Sequence, residues 1–188
     1  ITASKDKNQD YYWAARGAGS GMFAVCVRFH LKLYDLPKAI TCSTFWYRYE
    51  DIMEVSDWVG KVADKLHESV EFSEFIVEAP AKYQEQCKSS NGKIVLVTGT
   101  CFADTPEEAK AKLAPLETCP LVSKGIDKSL NTPHTFEQLF DMSGGLWPGD
   151  LRNKVDALFY DCSPTGPMKV MGEHFKKTPS KKTVYMFA

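Results

Sequence analysis

The chain has no long apolar run and almost no net charge. No apolar stretch among its 188 residues approaches the roughly 20 residues that are needed to cross a bilayer. A formal net charge of -1, without an extended run of Lys or Arg, provides no field that would attract nucleic acid or an anionic membrane. We therefore expect neither a membrane nor nucleic acid as a partner.

The six cysteines are scattered singly, without a C-x-x-C pair and without a histidine at zinc-ligand spacing. Cys26, Cys42 and Cys101 fall within apparent strands, where small buried thiols are common. This pattern favours free thiols in a reducing compartment, so we expect a cytoplasmic protein without a bound metal.

The composition that remains is that of a globular protein, with 44% hydrophobic and 25% charged residues. The first residues, ITASKDKNQD, contain neither an initiator Met nor a signal peptide, and the chain closes on the apolar TVYMFA. We interpret the chain as a fragment of a larger protein.

The most distinctive stretch is residues 11–36, where a short helical pattern leads into a glycine loop and then into an alternating strand pattern. Glycines 17, 19 and 21 would let backbone amides approach a bulky anionic ligand closely. A Rossmann fingerprint needs the strand before the loop, and a P-loop needs a following Gly-Lys-Ser/Thr, so both are excluded. A second interpretation stays open, in which Gly17 caps the helix 10–16 and the other glycines form a plain turn.

The residues WAARGAGSGMFAVCVRFHLKLYDLP resemble a stretch of the FAD-linked oxidases, the group that contains the berberine bridge enzyme and 6-hydroxynicotine oxidase. That stretch, W-A-x-R-G-x-G-x-x-F-G-[IV]-[IV]-T-x-[FL], closes the flavin-binding domain of the family. The preceding ITASKDKNQDYYW is similar to the family's V-T-A-x-x-x-x-N-x-[DE]-L-[FL]-W. This chain has Met22, Ala24 and Val27 where the family usually has Asn, Gly and Thr.

The resemblance implies FAD as cofactor of the full-length protein. It implies that residues 1–36 are the C-terminal piece of the FAD-binding domain and that 37–188 are a partial substrate-binding domain. It also implies that the full-length protein transfers a hydride from an alcohol or amine carbon of a small-molecule substrate to the flavin. The fragment alone is expected to be inactive. The cofactor contacts implied are Gly17, Gly19, Ser20, Gly21, Ala24 and Val25. A non-enzymatic α+β binding or assembly module is the alternative.

A second loop, rich in glycine, precedes an apparent strand at 155–160. The family has a comparable stretch ahead of a strand near the flavin, so Trp147 and Tyr160 are candidate substrate contacts. The alternative is a plain loop in which Trp147 packs on the core. The sequence identifies no catalytic residue.

The remaining pattern predicts an α+β fold in which helices cover an antiparallel sheet. Alternating residues predict strands over 25–33, 39–47, 72–79, 93–103, 155–160 and 183–187. Helical spacing and caps predict helices over 51–68, 105–114, 135–145 and 167–176. Few periodic residues occur over 116–133, which we expect to be a mobile loop. We expect self-association through 11–36, because an uncovered strand promotes pairing with another copy.

Overall fold

The computed structural model describes residues 1–17, 19–146, 149, 152, 154–156 and 163–187. The chain divides into two compact units, Ile1–Leu36 and Pro37–Ala188. In the first unit, helix α1 (Gln9–Ala15) is followed by a 3-10 turn at Gly19–Gly21.

Five strands of the described residues form one antiparallel sheet in the second unit. They are β1 (Ala39–Arg48), β2 (Val70–Glu78), β3 (Lys93–Ala103), β4 (Asp127–Pro133) and β5 (Tyr185–Phe187). Their order across the sheet is β4-β1-β3-β2-β5, and each neighbouring pair is antiparallel. The helices of this unit are α2 (Ile52–Ala63), α3 (Pro106–Leu113), α4 (Phe136–Leu146) and α5 (Thr165–His174). The predicted α+β fold is confirmed.

The main core lies on the face of the sheet that packs against α2 and α3. Its most deeply buried side chains include Phe45, Tyr47, Val55, Val59, Ile76, Val95, Val97, Leu113 and Leu116. Gly99 of β3 belongs to this face, because a Cβ added there would lie 2.3 Å from Leu116 Cδ1. The centre of β3 therefore lies in close contact with Leu116 of the following 3-10 helix.

Helix α2 forms because apolar residues recur at spacings of three and four, which places them on one face. Its buried residues are Ile52, Val55, Ser56, Trp58, Val59 and Val62. The helix ends at Ala63, before the predicted residue 68, and Leu66 packs half-buried against the same core from beyond the helix end.

Capping boxes begin α3 and α4, as the sequence predicts. Before α3, Thr105 Oγ1 accepts from the Glu108 amide at 3.1 Å, and Glu108 Oε2 accepts from the Asp104 amide at 3.1 Å. Before α4, the corresponding exchange joins Thr135 and Gln138 at 3.2 and 2.9 Å. These reciprocal bonds satisfy amides that the first helical turn leaves without partners.

The predicted mobile loop over 116–133 is wrong. This segment contains the end of a 3-10 helix, Ala114–Thr118, and the whole of the edge strand β4. The register against β1 shifts between Cys42 and Thr44, which marks a bulge. Asn131 has a φ of 54° at this bulge, and its amide donates to Ser43 Oγ at 3.0 Å. A half-exposed, bulged strand has no clean alternation, which is why the pattern failed to predict it.

The strand predicted over 25–33 is also wrong, because these residues belong to no helix and to no strand ladder in the structure. Its apolar side chains face solvent, and Val27 is 92% exposed. A strand needs a partner for its backbone groups. The described residues of the first unit provide only helical elements and one bridge between Ser4 and Lys7.

Two predicted elements near the C-terminus are present with shifted ends, because α5 covers Thr165–His174 and β5 begins at Tyr185. Of the strand predicted over 155–160, only 155 and 156 are described, and neither is in a strand.

Candidate functional site

The sheet face opposite the main core carries two adjacent rows of short polar side chains. In one row, Cys42 lies opposite Thr100 and Thr132, and Thr100 lies opposite Glu71. In the other row, Thr44 lies opposite Thr98 and Ser129, and Thr98 lies opposite Ser73. Residues that lie opposite each other across neighbouring strands point to the same side of a sheet. We call these eight residues, Cys42, Thr44, Glu71, Ser73, Thr98, Thr100, Ser129 and Thr132, the hydroxyl face.

Side-chain contacts hold the hydroxyl face together. Cys42 Sγ lies 3.3 Å from Thr100 Oγ1, and Ser129 Oγ lies 2.7 Å from Thr132 Oγ1. Thr44 and Thr98 are half-buried, so part of each side chain remains accessible. Burial raises the pKa of the Cys42 thiol. The hydrogen bond with Thr100 opposes this shift, and the charge of Glu71 adds to it. The thiol is therefore protonated at neutral pH and is not a thiolate nucleophile.

Aromatic residues border both ends of the hydroxyl face. At one end, Trp46 contacts Tyr83 of the 3-10 helix Ala81–Ser90, with ring centroids 5.8 Å apart. At the other end, Phe102 stacks on Phe136 of α4 at 6.0 Å. Hydroxyl groups donate and accept hydrogen bonds without a fixed charge. Such an arrangement suits a neutral ligand with an apolar body and a few polar groups.

The hydroxyl face was not predicted, although the sequence contains a signal for it. In the sequence Thr98-Gly99-Thr100, the glycine lies on the helical side of β3, where a Cβ would meet Leu116 and Leu113. The threonines before and after it place their hydroxyls on the opposite side of the strand. Because successive residues of a strand point to opposite faces, this pattern predicts close packing on one face of β3 and polar side chains on the other.

A cluster next to this face has a structural role. Asp127 of β4 accepts hydrogen bonds from the Tyr83 hydroxyl and from Lys82 Nζ, the latter at 3.1 Å. The hydrogen bond from Tyr83, followed by the one from Lys82, lowers the pKa of Asp127 to about 2. The ionised carboxylate thus ties the 3-10 helix Ala81–Ser90 to the edge of the sheet.

The predicted flavin contacts all belong to the first unit. Gly19 has a φ of +51°, and a Cβ added at Gly17, Gly19 or Gly21 would meet nothing within 4 Å. Gly17 has no positive φ, so it does not form the left-handed cap of the alternative interpretation. Ala24 and Val25 are exposed. The open backbone of this turn suits the close approach of a cofactor, but it could contribute only one wall of an enclosed site.

The role of these residues in flavin binding stays a prediction, as does that of Ser20. The candidate substrate contacts Trp147 and Tyr160 lie outside the described residues, so both interpretations of Trp147 stay open. The motif residues Arg16 and Phe23 contact aromatic neighbours within the first unit. The Arg16 guanidinium lies 5.4 Å from the Tyr12 ring centroid, and Phe23 meets Tyr11 edge to face.

No group of three or more His, Cys, Asp and Glu side chains could hold a metal ion within the part of the chain that the structure describes. Of the five described cysteines, which are all free, Cys26 is exposed and the others are buried. Among the helices described, none is both long and apolar enough to span a membrane.

No family model matches the chain. It is 26% identical to FAD-linked oxidoreductase ptmO of Penicillium ochrochloron over 84% of its length, which is 33% of that protein. FAD-linked oxidoreductase penO of Penicillium crustosum has the same identity and coverage. FAD-linked oxidoreductase nodO of Hypoxylon pulicicidum is 30% identical over 60% of the chain, which is 23% of that protein. The chain thus spans a third or less of these relatives, all of which are named FAD-linked oxidoreductases.

Proposed function

We propose that the chain is part of an FAD-dependent oxidoreductase that removes a hydride from an alcohol or amine carbon of a small molecule. The observation that supports this most directly is its similarity, over 84% of its length, to proteins named FAD-linked oxidoreductases. The berberine bridge enzyme subgroup belongs to this proposal, and it rests on the residues around the glycine loop.

In this proposal the first unit contributes backbone to the cofactor site. Gly17, Gly19 and Gly21 present main chain without a side chain in the way, and the positive φ of Gly19 fixes the direction of the turn. When bound, FAD supplies the hydride-accepting chemistry.

The hydroxyl face is the proposed substrate surface of the second unit. Thr44 and Thr98 would bond the hydroxyl or amine group of the substrate, since both are only half-buried and lie at the centre of the sheet. The bordering rings of Trp46 and Phe102 would pack against its apolar body. The hydroxyl groups of Thr44 and Thr98 carry no charge, so a neutral alcohol or amine can bind them without the burial of an ionised group.

The first test uses the full-length protein. We expect it to be purified with flavin absorbance, and we expect at least one member of a panel of alcohols and amines to bleach that absorbance under anaerobic conditions. Protein that lacks flavin and cannot be reconstituted with FAD would contradict the proposal.

The contribution of the turn is tested with Gly21→Val, which adds a side chain in open space at a position without positive φ. We expect lower flavin occupancy in this variant and in Gly19→Val, where strain at positive φ adds to the effect. Gly144→Val of α4 is the matched control, because its added side chain also meets nothing within 4 Å. Normal flavin content in Gly21→Val would contradict a backbone cradle.

The substrate surface is tested with two substitutions on one strand. Thr44→Val removes a hydroxyl from the hydroxyl face and should raise KM for the reducing substrate with little loss of stability. Thr41→Val removes a hydroxyl from the opposite, buried side of β1 and should leave KM unchanged. Equal KM values for Thr44→Val and the unmodified protein would exclude this role for Thr44.

One observation favours the alternative, a binding or assembly module. The apolar residues between 25 and 36 are exposed, including Phe29 and Leu36, and surface of this kind commonly binds another protein. Flavin content of the full-length protein distinguishes the two functions.

A further inference from the structure

Trp46 lies where the hydroxyl face meets a second, smaller core. The 3-10 helix Ala81–Ser90 covers this core, and Trp46 packs half-buried against it. The buried members of the core are Phe75, Val77, Ala79, Tyr83, Cys87, Ile94 and Leu96. Thr44 precedes Trp46 by two residues on β1, so both side chains point to the same side of the sheet, with Cα atoms about 7 Å apart. Part of the Trp46 side chain therefore stays accessible next to the Thr44 position of the hydroxyl face.

The main chain of Trp46 is held from the side of β4. Its carbonyl accepts a hydrogen bond from the Ile126 amide at 2.7 Å, and Asp127 lies opposite Trp46 in the strand register. A Cβ added at Gly125 would lie 3.1 Å from the same carbonyl oxygen, so the two segments are in close contact there. These contacts fix the backbone of Trp46, whereas the direction of its ring depends on side-chain contacts.

Tyr83 contacts the indole ring of Trp46. The ring centroids lie 5.8 Å apart with the planes tilted by 49°, which is within the range of favourable aromatic pairs. The hydroxyl of the buried Tyr83 donates a hydrogen bond to Asp127. Burial and this hydrogen bond raise the pKa of Tyr83, so its hydroxyl is protonated and able to donate at neutral pH. The low pKa of Asp127, described above, keeps the carboxylate ionised as the acceptor.

These contacts form a closed circuit of three residues. Trp46 meets Tyr83 through its ring, Tyr83 binds Asp127 through its hydroxyl, and Asp127 lies opposite Trp46 across the strands. A hydrogen bond to an ionised acceptor is stronger than one between neutral groups, so it fixes the Tyr83 ring against which Trp46 packs. Lys82 lies outside the circuit. Its side chain is 66% exposed, and an exposed ion pair of this kind contributes little.

We propose that Tyr83 and Asp127 are positioning residues that fix the ring of Trp46 as a specificity-determining wall of the substrate surface. This inference rests on the proposed function, because it takes the hydroxyl face as the place where the substrate binds. The wall selects a substrate with an apolar ring about 7 Å from the group that bonds Thr44. Fixing the indole ring in advance strengthens the selection, because a mobile ring would lose conformational freedom when the substrate binds.

The wall is tested with two alcohols that differ by one apolar ring, 4-cyclohexylbutan-1-ol and butan-1-ol. Ligand-observed NMR titrations of the full-length protein measure the Kd of each. We expect the compound with the ring to bind about tenfold more tightly, or better, because its ring is buried against Trp46. In Trp46→Ala the two Kd values should approach each other. Equal affinities in the unmodified protein, or an unchanged preference in Trp46→Ala, would overturn the wall.

The positioning role is tested with changes that leave Trp46 in place. Tyr83→Phe keeps the aromatic ring but removes the hydroxyl, and it should raise the Kd of 4-cyclohexylbutan-1-ol by about threefold with butan-1-ol unaffected. Asp127→Ala should have the same effect, and Asp127→Asn, which keeps an acceptor oxygen, should restore the preference. Lys82→Gln is the matched control. It removes the ion pair with Asp127 but leaves the circuit, so both Kd values should stay unchanged.

The positioning role would be overturned by an unchanged preference in Tyr83→Phe, or by equal weakening of both alcohols, which indicates general damage to the fold. An effect of Lys82→Gln as large as that of Tyr83→Phe would also overturn it. If Asp127→Ala does not fold, Tyr83→Phe and Lys82→Gln still decide. The titrations require no turnover, whereas flavin content and flavin reduction test the proposed function, so the two failures are distinguishable.

Discussion

Residues 25–33 and strand β2 have similar alternating patterns but different structures. Val25, Val27 and Phe29 alternate with polar residues as Val70 and Phe72 do. Strand β2 is paired on one side along its whole length and packs on α2, whereas 25–33 has no ladder within its unit. An alternating pattern thus identifies one face of a segment that can be buried. The face is buried only where another strand pairs with the segment and a helix or sheet covers it.

The largest expected effect is on the free energy of unfolding, and it compares the same change, valine to aspartate, at a buried and at an exposed position. Val59→Asp places a charge in a side-chain site that is 0% exposed and should cost several kcal/mol. Val27→Asp, at a site that is 92% exposed, should change stability by less than about 0.5 kcal/mol. Denaturant melts of both variants measure the difference. A cost for Val59→Asp below about 1 kcal/mol would show that α2 buries another face.

A smaller effect tests the close contact of β3 with the helices. Gly99→Ala should cost about 1–3 kcal/mol, because the new methyl group would overlap Leu116 Cδ1. Leu116→Val shortens that side chain, so the double variant should lose less than the sum of the two single changes. Additive losses in denaturant melts would argue against a direct contact.

A smaller effect is expected from the exposed segment of the first unit, and it concerns association of the chain with another copy of itself. We expect the 188-residue chain to self-associate through 11–36, and we expect Phe29→Ser with Leu31→Ser to reduce this. Light scattering over a range of concentrations measures the effect. A monodisperse monomer at high concentration would mean that the exposed apolar surface does not drive pairing.

The smallest expected signal is from FAD. The 188-residue chain should bind it weakly or not at all and should catalyse no oxidation, because affinity depends on many contacts in a preformed site. Titration followed by flavin fluorescence measures binding directly. Saturable tight binding would show that the described turn belongs to a complete site.

Sequence reasoning predicted the elements whose signal is local. The spacing of Ile52, Val55 and Val59 indicates a helix without reference to distant residues, and the pairs Thr105 with Glu108 and Thr135 with Gln138 indicate where two helices begin. The strands that pair in the centre of the sheet have enough apolar residues to be recognised singly.

Features that depend on distant residues could not be predicted in this way. The hydroxyl face needs the register that brings Thr44, Thr98 and Ser73 together across three strands. Burial of Glu74 depends on Ser56 and Phe187, which are far from it in the sequence, and a single Glu in an alternating strand is typical of an exposed position. The flavin contacts were inferred from resemblance and stay a prediction.

The bulge at Asn131 also breaks the regularity of the β4 edge of the sheet. An edge strand with regular backbone offers a row of unpaired amides and carbonyls that another chain can continue. At β4 the left-handed Asn131 turns its amide back to Ser43, so the outer row is interrupted in the middle. The β4 edge is therefore a poor template on which another chain could add a strand, which disfavours fibril-like stacking at this side of the sheet.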